Sequence, residues 1–177
     1  GVTKIAIIGA IALVVIGRGT RIVLGYCLTL IVLFYCGRLL GMLNPVMGPA
    51  FFQPEAFSYL EGSVTAEAMR LVNEVFGQSA TLARQRGGIL LGGVSAMPSL
   101  HVAMVAATAW WLAVASRWTL AITVPWVLAV WTSTVVLGWH YMLDGAGGIL
   151  LAAASVALTR ALLRRFGPPP QMTNTGA

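Results

Sequence analysis

The sequence predicts an all-α protein, a multi-pass transmembrane helical bundle of five or six spans with an amphipathic helix at the membrane interface. Three observations lead there. Of its 177 residues, 58% are hydrophobic and only 9% are charged, whereas soluble domains carry about a quarter charged residues. Mean hydropathy is +0.86. Finally, five apolar stretches approach the roughly 20 residues needed to cross about 30 Å of hydrocarbon, and four of the five acids fall between two of those stretches.

In chain order the apolar stretches run from Ile5 to Gly17, Ile22 to Leu43, Ser99 to Ser116, Trp118 to Gly138 and His140 to Leu163. The first is short, and the chain opens on Gly1 rather than Met, so an N-terminal piece is expected to have been processed or to be missing. A cleaved signal peptide would account for that first stretch alone and leave four or more helices. The length suits one domain, residues 1–167. The tail GPPPQMTNTGA is Pro-rich and polar, and residues 168–177 are expected to be disordered.

Residues 44–97 differ in character. They hold Glu55, Glu61, Glu67 and Glu74. Within them VTAEAMRLVNEVF sets Val64, Ala68, Leu71, Val72 and Val75 on one face at helical spacing, with Glu67, Arg70 and Glu74 elsewhere. This is the pattern of a helix lying on the membrane surface. The formal charge of +6 comes from eleven basic residues scattered singly or in pairs, mostly at helix ends. That distribution points to membrane orientation and away from nucleic acid. Short cytoplasmic loops collect Lys and Arg; with the acidic segment outside, Arg18, Arg21, Arg117, Arg160, Arg164 and Arg165 fall inside. Both histidines then fall on the external face of what is expected to be a plasma-membrane protein. Cys27 and Cys36 are nine positions apart on one predicted helix, or roughly 13 Å, too far to bridge. They read as packing residues.

The polar residues that remain cluster at two helix starts. In SAMPSLHVA, Pro98 suits a first helical turn, where its missing N–H costs nothing. The free donors of that turn make an anion site, to which Ser99 adds a hydroxyl. His101 faces whatever anion is held there. In GWHYMLDGAGG, His140 is followed four residues later by Asp144, the sole aspartate. Positions i and i+4 share a helix face, so the carboxylate can fix one imidazole nitrogen and leave the other as nucleophile or base. An acid at membrane depth is costly enough to mark function. Taken singly, a histidine at a helix start is an ordinary interfacial residue; two of them with an aspartate and a Pro-Ser start on one side of the membrane indicate catalysis. A zinc site from His140 and Asp144 is the competing chemistry, but no further close His, Cys or acid completes it, so no metal or cofactor is expected.

PSLH at 98–101, followed 39 residues after its histidine by GWHYMLD at 138–144, resembles the second and third signature motifs of the type 2 phosphatidic acid phosphatase superfamily. The resemblance covers about a third of the chain. It implies that His140 attacks phosphorus to give a phosphohistidine, that Asp144 orients it, that His101 protonates the leaving oxygen and that Ser99 helps to hold the phosphate. Two features depart from the phosphatases. Ser133-Thr134 stands where Ser-Arg precedes the later histidine, and the first motif, Lys with a following Arg-Pro, is missing because Lys4 is the sole lysine and no Arg-Pro occurs.

The reduced pattern is similar to the branch of inositol phosphorylceramide and sphingomyelin synthases, which move phosphoryl headgroups between lipids. It implies an integral-membrane lipid phosphotransferase; a lipid phosphate phosphatase and a catalytically silent membrane protein of the same fold are the alternatives. The vanadate haloperoxidases share the site geometry but are soluble. Arg38, near the external end of the second stretch with no acid close in sequence, is the first candidate for neutralising the phosphate, with snorkelling the ordinary alternative; Arg84 and Arg86 in LARQRGG come next. The six tryptophans read mainly as interfacial anchors, Trp139 and Tyr141 also as pocket walls. The partners implied are a lipid phosphate substrate and the membrane.

Overall fold

The structure, a computed structural model, describes residues 2–16, 19–44, 46–74 and 95–166. Among the described residues seven α-helices follow in order: α1 (Val2–Ile16), α2 (Thr20–Leu43), the single turn α3 (Pro49–Phe52), α4 (64–74), α5 (Leu100–Ala115), α6 (Leu120–Val136) and α7 (Met142–Phe166). Short 3-10 turns occupy Pro54–Leu60 and Arg117–Thr119. No strand occurs among the described residues, and the all-α expectation holds.

α5 is the axis of the bundle, packed against α1, α2, α6 and α7. Its sequence explains why. LHVAMVAATAWWLAVA is apolar around the whole circumference and rich in alanine, so neighbours approach from every side; Val102, Ala103, Val105 and Ala107 have no exposed surface. α7 lies parallel to it along a seam of small residues. Gly148 meets the Ser99 carbonyl at one end, Ala103 and Ala107 meet Leu151 and Ala152 in the middle, and Leu112 and Ala115 share a cluster with Val156 and Leu163 at the other end. Small residues are what permit close helix approach in a medium where burial of apolar surface gives no drive to associate. α2 runs the opposite way, Gly37 packing on Leu100 and Leu151 while Arg21 donates to the Leu163 carbonyl at 3.3 Å.

Hydroxyls stitch the interior. The Tyr26 hydroxyl lies 3.1 Å from Thr108 Oγ1 and 3.3 Å from the Ala6 carbonyl oxygen, and Trp111 Nε1 donates to Thr29 Oγ1 at 2.9 Å. Such interhelical bonds contribute on the order of 0.6 kcal/mol each in a bilayer. α6 is the loosest member. It buries only Thr123, carries Pro125 in its interior, and turns Ile122, Val124 and Leu128 outward, as a lipid-facing helix does.

Among the described residues, three helices are long and apolar enough to cross a membrane: Thr20–Leu43, Arg117–Val136 and Met142–Phe166. This is fewer than the five or six read from the sequence. The apolar run at 99–116 includes Ser99 and Ser116, which are extended and flank a helix of only 16 residues, or about 24 Å at 1.5 Å per residue. α1, with 15 residues, falls short in the same way.

On α4 Glu67 is paired to Arg70 at 2.8 Å. Ala66, Met69, Arg70 and Asn73 face a groove shared with Phe51 and Phe57, while Val64 and Leu71 on the opposite face are exposed. Val64 and Leu71 of the apolar stripe therefore point away from that groove, while Ala68 and Val72 are half-buried. Val75, the last member of that stripe, and the tail 168–177 lie outside the described residues.

Candidate active site

One end of the bundle gathers the C-terminus of α2 and the N-termini of α5 and α7. Their polar residues meet there because each helix start has its own local cause. Pro98 and Ser99 begin α5: Ser99 is extended, fully buried, and accepts from Val102 N at 3.5 Å through its hydroxyl. Its backbone N–H donates to the Asp144 carbonyl at 2.9 Å, tying the start of α5 to the first turn of α7. Ser99 Oγ is thus directed at its own helix.

His140 sits in the turn between α6 and α7. Gly138 makes that turn at φ 72, a left-handed conformation where a side chain would also strike Ala50 and Phe57. The Trp139 and His140 N–H groups both donate to the Thr134 carbonyl, at 3.1 and 3.2 Å. From outside, α3 and the following 3-10 turn brace the same residues. Ala50 N donates to the Gly138 carbonyl at 3.1 Å, the Phe51 and Trp139 rings meet edge to face at 6.0 Å, and Tyr59 hydrogen-bonds the Val136 carbonyl through its hydroxyl. The acidic segment that reads as merely water-facing therefore holds the nucleophile candidate in place.

His101 and His140 come together. Their ring centroids are 6.3 Å apart at an interplanar angle of 65°, so one tetrahedral anion can touch both rings. His140 is 8% exposed, whereas His101 is open to solvent. His140 Nδ1 lies 2.7 Å from the Ala96 carbonyl oxygen. A carbonyl can only accept, so Nδ1 carries the hydrogen and Nε2 keeps its lone pair. Asp144 Oδ2 lies 3.7 Å from the same nitrogen, beyond hydrogen-bond range, and accepts instead from Tyr141 N at 2.6 Å. Burial pushes the His140 imidazole below the usual histidine range, opposed by the Ala96 carbonyl and by Asp144.

Arg38 lies on the exposed flank of α2 and lines a small cavity of about 30 Å³ with Gly41, Ser95, Met97, Pro98 and Leu100, beside the start of α5. Arg84 and Arg86 lie outside the described residues. Ser133 and Thr134 fold their hydroxyls back onto α6, donating to the Ala129 carbonyl at 2.6 Å and the Trp131 carbonyl at 2.8 Å. No group of three or more His, Cys, Asp or Glu side chains able to hold a metal occurs among the described residues. The Ala96 carbonyl and the Tyr141 N–H are invisible to motif reading, which registers only side chains.

A helical membrane-type bundle thus gathers two imidazoles and a carboxylate at one end. The model of the PAP2 superfamily matches residues 2–158, and the chain belongs to that superfamily, whose members are generally phosphoryl-transfer or hydrolase enzymes. No curated protein and no solved structure matches it significantly.

Proposed function

We propose that the protein is a lipid phosphotransferase working through a phosphohistidine. The observation that carries this reading is the 6.3 Å approach of His101 and His140, borne on separate helices at one end of the bundle. In the first step His140 Nε2 attacks phosphorus, the bond from phosphorus to the leaving lipid oxygen breaks, and His101 delivers a proton to that oxygen. In the second, an alcohol attacks the phosphohistidine, His101 takes the alcohol's proton, and the P–N bond breaks. Catalysis rests on positioning and on charge neutralisation at the helix starts. Arg38 and Ser99, with Arg84 and Arg86, are the groups proposed to hold the phosphate.

Ser133 and Thr134 supply no cation beside the rings, and their hydroxyls are spent on their own helix. A site short of one guanidinium suits a singly charged phosphodiester better than a doubly charged monoester, which favours headgroup transfer over monoester hydrolysis. Hydrolysis is the second reading, favoured by the exposure of His101, which gives water access to the reacting atoms.

The distal end carries Arg117, Arg160, Arg164 and Arg165, and Arg21 bonds there to the Leu163 carbonyl. By the positive-inside rule this end is cytoplasmic and the histidines extracytoplasmic, in the plasma membrane. The exposed Val64 and Leu71 face of α4 then rests on the outer headgroup layer.

The test is incubation of the protein in lipid nanodiscs with phosphatidic acid or, separately, with a labelled phosphodiester lipid plus an alcohol-bearing lipid. A new phospholipid together with acid-labile label on the wild type, absent from His140→Ala, is the expected result. Free phosphate without a new phospholipid selects hydrolysis. If no substrate reacts and no label attaches, both enzymatic readings fall and the silent membrane protein stands.

A further inference from the structure

The segment that precedes α5 is fastened to the exit of α2. Ser95 Oγ lies 2.7 Å from the Asn44 carbonyl oxygen and 2.9 Å from that of Met97, sharing its single hydrogen between them, and it accepts from Val46 N at 3.4 Å. Next to it, Ala96 N donates to the Val46 carbonyl at 2.6 Å. These bonds bridge stretches some fifty residues apart in sequence. Ala96 is the residue whose carbonyl receives His140 Nδ1–H at 2.7 Å. A carbonyl can impose a tautomer only if it is itself held still, and the described bonds that hold this one run through Ser95 and Val46. Asp144, the side chain that motif reading selects for the task, is 3.7 Å away and occupied by Tyr141 N.

We propose that Ser95 is a positioning residue: its hydroxyl clasps the α2 exit to the Ser95–Met97 segment, holds the Ala96 carbonyl against His140 Nδ1, and thereby leaves His140 Nε2 unprotonated and facing the reacting phosphorus. The catalytic part of this claim rests on the phosphotransferase reading. The part concerning the ring does not.

Ring-nitrogen NMR of protein labelled with ¹⁵N-histidine separates the two parts. The chain has two histidines, and a His101→Gln sample assigns their signals. At about pH 8, above the ordinary histidine range, wild-type His140 carries its hydrogen on Nδ1. Asp144→Asn keeps that tautomer, because the carbonyl remains. Ser95→Ala loses it in favour of a mixture, and Ser95→Thr, which restores the hydroxyl, recovers it. Phosphoryl transfer by Ser95→Ala falls about fivefold in kcat, the factor that one neutral hydrogen bond of about 1 kcal/mol represents, while KM is unchanged.

An Nε2–H tautomer in the wild type, or an Nδ1–H tautomer that survives in Ser95→Ala and disappears in Asp144→Asn, overturns the proposal. A tautomer shift in Ser95→Ala together with a wild type that transfers no phosphoryl group upholds the clasp and refutes the functional reading.

Discussion

The three glycines behind Asp144 offer a test of the packing that aims the rings, since each meets a different neighbour. A Cβ on Gly148 would stand 2.5 Å from the Ser99 carbonyl oxygen and 3.2 Å from Ala103 N. Both are backbone atoms and cannot rotate aside. Against an ordinary contact of about 3.5 Å, α7 must retreat from α5 by about 1 Å. Overpacking of this kind costs up to about 3 kcal/mol, and the gain from replacing glycine with alanine inside a helix returns about 1 kcal/mol. Gly148→Ala therefore loses about 2 kcal/mol. The Gly147 Cβ would meet Met97 Cε and Pro98 Cβ at 3.6 Å and Pro98 Cα at 3.9 Å, all ordinary contacts, so Gly147→Ala gains about 1 kcal/mol. At about 2–4 °C per kcal/mol for a chain of this length, Gly148→Ala melts about 4–8 °C below the wild type and Gly147→Ala about 2–4 °C above it. Thermal unfolding in one detergent, followed by tryptophan fluorescence, measures both. Equal melting points for the two variants would refute the close α5–α7 contact, and with it the shared anchoring of the histidines.

Further outcomes follow from the same geometry. Because burial depresses His140, the proposed nucleophile, which must be neutral to attack, stays so on acidification until the pH passes below the ordinary histidine value of about 6.5; the acid limb of kcat/KM, read from a pH–rate profile, therefore lies below that value. The sign is the same for stability: the unfolded chain takes up this proton first, so His140 contributes stability that is lost as the pH falls. Asp144→Asn leaves Tyr141 N a neutral acceptor in place of a carboxylate, and it lowers kcat about tenfold, the effect of roughly 1.4 kcal/mol in orientation; an unchanged kcat would remove Asp144 from the site. Tyr26→Phe deletes the hydroxyl shared with Thr108 and Ala6 and costs about 1 kcal/mol for the two contacts together, seen as a small drop in melting temperature with kcat unaltered.

The elements that sequence periodicity makes legible are those governed by composition over many residues: the apolar helices, the acidic segment between the second and third, and the stripe of Val64, Ala68 and Leu71. The convergence of His101 with His140 is legible too, because Pro98-Ser99 and His140-X-X-X-Asp144 each mark a helix start. Hydropathy could not separate apolar residues that are helical from apolar residues that flank a helix, and so α5 is shorter than its run. Nor could it reveal the acceptors that fix His140 and Asp144. The Ala96 carbonyl and Tyr141 N–H belong to the backbone, and any residue at 96, or any but proline at 141, presents the same group. The glycines at 145 and 148 were visible, but the Trp131 indole and the Ser99 carbonyl that require them become neighbours only through tertiary packing.

The position of both imidazoles at one terminus of the bundle has an electrical consequence. Moving one elementary charge fully across a membrane at 100 mV involves about 2.3 kcal/mol. A phosphate that arrives at, reacts at and departs from the same rim traverses almost none of that field. On the proposed reading, turnover is therefore independent of the transmembrane voltage, and vesicles whose potential is collapsed with ionophores support it as well as energised ones.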